Sequence, residues 1–462
     1  MSARNQLRMS IPLAITALLA VGCGGSSAPV TAPTNPNTAT GPAFVIGTDA
    51  PVAGVLSFSI QIQGIDAVDA SGTKTPLLSG SPTVDFARYN GLQTLMDLND
   101  VPVGTYTSVN VTLGAGSIGY LQTTSGQAPT IQTQSAMLTQ STVTIPLTTP
   151  LVVAQSSPVG LRLDFDLHKS IQVDSGGQIT GQVTPTFDIK AVLPTDAGGM
   201  IDDFDAAVVS VNTSGQSFVI QGPHGRHFTV QVSGQTEFEG NDSLTDLTNS
   251  SIVQISGIID RSTSTIDATD VAILSQDGFH ASGQITYVQP PSGAATSFDL
   301  YVRGLLPSTT GLTLGQIAQV NLNGNEKYFI YWMHNPLTKF LFNPSALLPG
   351  QHVSIGGPAT GAANPQAVTV KRVVLRNWGF NGTPVISSIT SNTFQMNVVG
   401  FAGELIPGPV TVVVSNKTEY RNGLTSLSSL TTTTNVRVVG LLLKDPVSGQ
   451  PIILARYVDE LN

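Results

Sequence analysis

The sequence predicts an all-β protein: an antiparallel β-sandwich followed by three small OB-like β-barrel repeats. Three observations carry this prediction. Apolar and polar residues alternate with period two, as in Leu56-Ser57-Phe58-Ser59-Ile60-Gln61-Ile62, the pattern of a strand with one buried face. Gly and Pro number 46 and 29 among 462 residues and punctuate the apolar runs, as turns between short strands require. Only 11% of residues are charged, against roughly 25% in an average soluble chain, which excludes a coiled coil, a long helical bundle and a highly charged disordered chain. At roughly 150 residues per domain, the length suits about three domains with room for one more small one. The net charge of −9 provides no basic footprint, so nucleic acid is excluded as a partner. A single Cys excludes a disulfide scaffold and any multi-cysteine metal site.

At the N-terminus, Arg4 and Arg8 precede an apolar run over residues 11–21, interrupted only by Pro12 and Thr16. A spanning helix needs about 20 residues, so this shorter run fits the apolar centre of a signal peptide. It leads into Ala20-Val21-Gly22-Cys23-Gly24-Gly25. Small residues running into the chain's one Cys resemble the lipobox of bacterial lipoproteins, with Ala20 where Leu is usual. The resemblance implies a signal peptide over 1–22, cleavage before Cys23, and a lipidated Cys23 at the mature N-terminus. Residues 23–43 are uncharged and rich in Gly, Ser, Ala, Pro, Thr and Asn, the composition of a flexible tether. The expected location is the cell envelope, lipid-anchored on the extracytoplasmic side, at the outer membrane in a Gram-negative cell.

Residues 44–196 read as the sandwich. Strands are expected at 56–62, at Val109-Asn110-Val111-Thr112-Leu113, at 161–168 and at 183–191. In the third of these, Leu161, Leu163, Phe165 and Leu167 share one face. Arg162, Asp164, Asp166 and His168 fall on the other. Beyond residue 195 a unit repeats, over 197–275, 276–378 (degenerate) and 379–462. Each copy opens a strand on Phe: Phe218, Phe298 and Phe394. A Thr-x-aromatic follows at Thr236-Glu237-Phe238, Thr338-Lys339-Phe340 and Thr418-Glu419-Tyr420. A Ser/Leu turn comes next, at Ser243-Leu244, Ser345-Ala346-Leu347 and Ser426-Leu427. Then a strand closes on Gly257, Gly356 or Gly440, before a last strand rich in Val, Ile and Leu. Ser243-Leu244-Thr245-Asp246 has the look of a capping box leading into a turn or two.

The repeat resembles the family known as domain of unknown function 5666, which implies a compact OB-like barrel. The first body is similar to domain of unknown function 4382, through Gly47-Thr48-Asp49-Ala50-Pro51, Val103-Gly104-Thr105-Tyr106, residues 161–170 and the closing strand 183–191. That resemblance implies an antiparallel sandwich. Neither family name carries a function.

Several groupings are candidates for chemistry. Two carboxylates two residues apart on a strand sit roughly 7 Å apart on one face. Asp164 and Asp166, with Asp49 as a third acid, are therefore the candidate metal site, and Ca²⁺ the candidate cofactor, since that ion takes six to eight oxygens. Asp202-Asp203-Phe204-Asp205 lacks the spaced ligands and Gly of a Ca²⁺ loop and reads as a solvated interdomain turn. His168, His224, His227, His280, His334 and His352 are scattered, and His224 and His227, three apart around Gly225, read as solvated turn residues rather than metal ligands. Tyr328, Phe329, Tyr331 and Trp332 form an aromatic cluster that suits either a core strand or an exposed sugar platform. No Gly-x-Ser-x-Gly elbow and no His-Glu-x-x-His occurs. No helix opens after Gly114-Ala115-Gly116, which disfavours dinucleotide binding. The reading is a lipid-anchored, non-catalytic binding or structural module of the envelope. Its partners are the membrane, through the lipid, and an envelope protein or polysaccharide. The alternatives are a carbohydrate-active or other hydrolase using the acidic strand face, and a periplasmic small-ligand or metal-binding protein.

Overall fold

The computed structural model describes residues 39–461 apart from 51–54, 90–91, 93, 123–129, 156, 175–178, 197–198, 223–224, 260–264, 277, 308–310, 332–339, 359–366, 407 and 433. The side chains of residues 48–50, 122, 241 and 401 also lie outside the description. The fold is all-β. The α-helices among the described residues are two short ones, Leu167–Ser170 and Gly400–Leu405.

The N-terminal sandwich packs two sheets. One orders Phe187–Val192, Val159–Asp166, Thr40–Ala50 and Thr94–Pro102. The other is built on the long antiparallel pair Val55–Asp69 and Gly104–Gln122. Alternation does the packing: Phe58, Ile60 and Ile62 from one sheet meet Leu161, Leu163 and Phe165 from the other in one core. The Phe165 ring lies 4.9 Å from Phe58 and 4.5 Å from Phe187. The pairing departs from the antiparallel expectation briefly where Ile179–Val183 runs parallel to Met137–Leu138, and at length where Thr40–Ala50 runs parallel to Val159–Asp166. The local sequence explains the longer pairing. Parallel strands are buried on both faces and read as continuous apolar runs, as Ala43-Phe44-Val45-Ile46 does. Ala43 and Val45 enter the sandwich core, while Phe44 and Ile46 enter the core of the first barrel.

The first barrel comprises Ile201–Asn212, Ser217–Gln221, His227–Gln231, Ile252–Ile259 and Ile266–Ser275. They are ordered third, second, first, fourth, fifth, and a parallel pairing of third with fifth closes the ring. Trp378–Val385, Thr393–Val399, Pro409–Val413, Asn435–Lys444 and Pro451–Leu461 repeat the same order and the same closure. Between them, Phe279–Gln289, Ser297–Leu306, Ile317–Asn321 and His352–Gly357 share a fifth strand split in two. Ala367–Thr369 pairs with the third strand and Arg372–Arg376 with the fourth. A five-stranded Greek-key barrel of this kind is the OB architecture.

The repeated residues hold equivalent places. Phe218, Phe298 and Phe394 are buried at 1%, 1% and 0% exposure. The Thr236 hydroxyl donates to the Ala268 carbonyl at 2.7 Å, and Thr418 donates to Ala455 at 2.8 Å. Each also accepts from a backbone N–H three residues earlier, Ser233 and Ser415, at 2.9 Å. Thr338 lies outside the described residues. Ser243 caps the single 3-10 turn Leu244–Asp246, its N–H donating to Asp246 Oδ2 at 2.8 Å. Gly257 and Gly440 sit at bulges where the fourth strand crosses the fifth. A Cβ there would stand 2.4 Å from the Asp267 carbonyl oxygen and 2.1 Å from that of Leu454, so the close approach admits only Gly.

Candidate functional site

The acidic stripe of the sandwich is shorter than the alternation predicts. Its strand ends at Asp166, which caps the one-turn helix Leu167–Ser170 by accepting from the Lys169 N–H at 3.0 Å. Asp166 also pairs with the Lys169 ammonium at 2.7 Å. His168 therefore leaves the strand face and is exposed. Asp164 shares Arg162 with Asp188, each at 3.8 Å. Burial pushes the Asp164 carboxyl up, and Arg162 opposes that shift. Backbone register sets Asp49 opposite Phe165, one residue out of step with Asp164 and Asp166. The Asp49 side chain and Cys23 lie outside the described residues. Among the described residues no three His, Cys, Asp or Glu side chains converge as metal ligands.

The densest polar grouping lies elsewhere, where sandwich, first barrel and middle barrel meet. Asp202, Asp203 and Asp205 are not a solvated turn. They stand on the strand Ile201–Asn212, with Asp202 and Asp203 buried at 4% and 1% exposure. The physical reason is that arginines from distant segments reach them. Arg376 of the middle barrel grips Asp205 in two-pronged fashion, at 3.0 and 3.1 Å, and also contacts Asp203. Such fork-on-carboxylate pairs are the strong, orientation-specific ones. Arg88, from the 3-10 turn Phe86–Tyr89 of the sandwich, donates to Asp205 Oδ2 at 2.8 Å. Gln254 donates to Asp203 Oδ1 at 2.7 Å. Further clasps join the barrels: Arg372 to Asp242 at 2.7 Å, and Arg456 of the third barrel to Asp202 at 3.6 Å.

On the middle barrel, the outward face is polar yet covered. Register aligns Gln284 with His352 and Arg376, and Ser282 with Ser354. All of these, with His280, are buried. Arg303 donates to Gln284, pairs with Asp85 of the sandwich at 3.6 Å, and lies over the Trp378 ring at 4.9 Å. His280 and His352 are thus core residues. Burial pushes both imidazoles down to about 3, so they are neutral at ordinary pH, and His352 Nδ1 donates to the Asn377 carbonyl at 3.1 Å. Burial pushes the Asp85 and Asp205 carboxyls up, with Arg303 and Arg88 respectively opposing. Burial and then the charge of Arg88 push the Arg376 guanidinium down. It stays protonated because two carboxylates touch it and a guanidinium holds its proton under all protein conditions.

A cavity of about 450 Å³ opens at this junction, lined by Ser57, Asp85 and Arg88 of the sandwich, Asp203 and Asp205 of the first barrel, and Arg303 of the middle barrel. Its donors and acceptors come from three bodies and are fixed by ion pairs, so the cavity is preformed.

The described members of the aromatic cluster, Tyr328, Phe329 and Tyr331, do not form a platform. Tyr331 is buried with its hydroxyl 2.7 Å from Ser256 Oγ, Phe329 lies under Arg372 at 4.4 Å, and Tyr328 meets Phe342 edge-on. Trp332, His224 and His334 lie outside the described residues, and His227 is exposed at the start of its strand. Arg88, Arg303, Arg376 and Asp85 escape a reading by spacing because they are scattered along the chain. One signal was available: charges embedded in apolar runs, as in Val373-Val374-Leu375-Arg376 and Ile201-Asp202-Asp203-Phe204.

No curated protein matches the chain. Family models match two segments, and each coincides with a body described above. Residues 42–182 match the family described as Domain of unknown function (DUF4382), which spans the sandwich, and residues 206–272 match the family described as Domain of unknown function (DUF5666), which spans the first barrel.

Proposed function

We propose that this chain is a lipid-anchored, extracytoplasmic protein of the bacterial envelope that acts as a non-catalytic binding module on a rigid support. The observation that carries the binding role is the junction cavity. Its ionisable groups are tied to one another in pairs, which suits holding a ligand in a fixed frame better than shuttling protons. The acidic strand face favours a hydrolase less, since Asp166 is spent on a helix cap and a lysine. The anchoring rests on Arg4, Arg8, the apolar run and Cys23, and among the described residues no helix is long and apolar enough to cross a membrane. Acyl chains in pairs anchor stably where a single chain does not.

The test of anchoring is Cys23→Ser in the full-length chain, expressed in a Gram-negative host. Loss of fatty-acyl label and of partitioning into the detergent phase is expected. Retention of both would overturn the anchor.

A further inference from the structure

One edge of the sandwich is left open. Thr130–Ser135 pairs with Gly104–Gln122 on one side, and among the described residues no strand pairs with it on the other. An open edge is a template for a further strand, and proteins guard it with charge, Pro, a bulge or shortness. The other edges of the same sheet carry such guards. Lys74–Pro76 and Thr83–Asp85 are three residues long and hold Lys74 and Asp85. Thr142–Val153 contains Pro146 and Pro150 and meets a shift of register. Thr130–Ser135 has none of these. It runs Thr-Ile-Gln-Thr-Gln-Ser in unbroken register, with Thr130, Gln132, Thr133 and Ser135 exposed.

One bond fixes the direction of its backbone groups. The Ala136 N–H donates to the Gly116 carbonyl at 2.9 Å. By alternation along an antiparallel pair, Gln132 and Gln134 also turn their N–H and C=O groups toward that neighbour. Ile131, Thr133 and Ser135 therefore turn theirs outward.

Charge selects the occupant. The protein carries a net charge of −9, so two copies repel unless they meet on an uncharged surface. A two-fold contact sets a patch against itself, where any charge would face its like. The edge lies within residues 101–161, which contain no Asp, Glu, Lys, Arg or His. Self-pairing there meets no repulsion, whereas a charged partner finds nothing to complement it.

We propose that Thr130–Ser135 pairs antiparallel with the same strand of a second copy, across a two-fold axis at Thr133. That register is the one that pairs all three outward residues: Thr133 opposes Thr133, and Ile131 opposes Ser135. Gln132 then opposes Gln134 between them. Closing the edge on itself uses it up, so assembly stops at the dimer. A contact between strands this short belongs to the small, transient class of interfaces, so association depends on concentration. The pairing is independent of both the lipid anchor and the junction cavity.

The experiment uses the full-length chain with Cys23→Ser, which leaves no other Cys, in a non-ionic detergent that covers the apolar run of residues 11–21. Sedimentation equilibrium should show the monomer mass at low micromolar concentration and twice that mass at high micromolar concentration. Thr133→Pro removes the central outward N–H. Pro is tolerated on an edge strand where that N–H faces solvent, so Tm should hold while the dimer is lost. Cysteine trapping reads the register. Opposed residues of a hydrogen-bonded pair have Cα atoms roughly 5.5 Å apart, within the reach of a disulfide. Thr133→Cys should therefore cross-link under copper–phenanthroline oxidation. Ser135→Cys should not, because its two copies stand four residues apart in register, roughly 14 Å. The trapping pair decides the matter even if Thr133→Pro fails to fold. A chain that stays monomeric throughout, assembles beyond two copies, or cross-links through Ser135→Cys as readily as through Thr133→Cys overturns the proposal. So does a folded Thr133→Pro variant that still doubles its mass.

Discussion

Single residues carry much of the stability. Phe394 is fully buried in the third barrel among Met396, Val412 and Val438. Removing a buried aromatic side chain costs its transfer free energy and leaves a cavity, so Phe394→Ala should lower unfolding free energy by about 3–5 kcal/mol. Urea denaturation followed by circular dichroism measures this, and a loss under 1 kcal/mol would show that the site collapses around the gap. His280 and His352 make a prediction of a different kind. Folding holds both rings near 3, whereas the unfolded chain titrates near 6.5. The unfolded state therefore takes up protons first. The contribution of each ring is intact above about pH 6.5 and is lost as pH falls toward 3. Between pH 7.5 and 5, each ring should cost about 2 kcal/mol. The raised Asp85 and Asp205 carboxyls act with the opposite sign, so the contribution of one ring is isolated by comparison with His280→Gln. That variant should lose about 2 kcal/mol less than the parent over this interval, and an equal loss in both would refute the assignment.

At the scale of elements, the repeat is what sequence pattern conveys best. Phe218 and Phe394, Thr236 and Thr418, and Gly257 and Gly440 occupy matching positions because each answers a local need: a core anchor, a hydroxyl that bridges two backbone segments, a crossing too tight for a side chain. Gly440→Ala should destabilise the chain by about 1–3 kcal/mol through overpacking against the Leu454 carbonyl, and a thermal scan that leaves Tm unchanged would count against that crossing. What pattern did not convey is pairing between elements that are distant in sequence. Asp203 and Asp205 read as part of a solvated turn, because their burial depends on Arg88 and Arg376, which are far away in sequence. Likewise Asp166 matched the strand period, and the switch into a helical turn rested on its bond to the Lys169 N–H. The parallel pairing of Thr40–Ala50 was visible only as an apolar run, which a helix or an antiparallel core strand would also produce.

For the whole molecule, the bodies are joined by shared cores as well as by charge. Leu441, Leu443, Ile452 and Leu454 of the third barrel pack into the core of the middle barrel, while Leu442 and Ile453 face their own. The fragment 379–462 expressed alone should give a β-type spectrum, a cooperative transition at lower temperature than the intact chain, and binding of a hydrophobic dye. Replacing Leu441 and Leu443 with Ser should remove the dye binding from the fragment and destabilise the intact protein. A fragment as stable as the parent would show that the barrels only touch. The junction also sets an order in time. Asp203 and Arg376 are 173 residues apart, and Arg88 and Asp205 are 117 apart. A chain that emerges N-terminus first presents its sandwich and first barrel well before Arg376 follows. Until then the two aspartates must stay in water, so the walls of the cavity assemble last. The halves of the chain thus wait for one another, and a truncation before residue 376 would leave an open, hydrated cleft where the finished protein has a lined chamber.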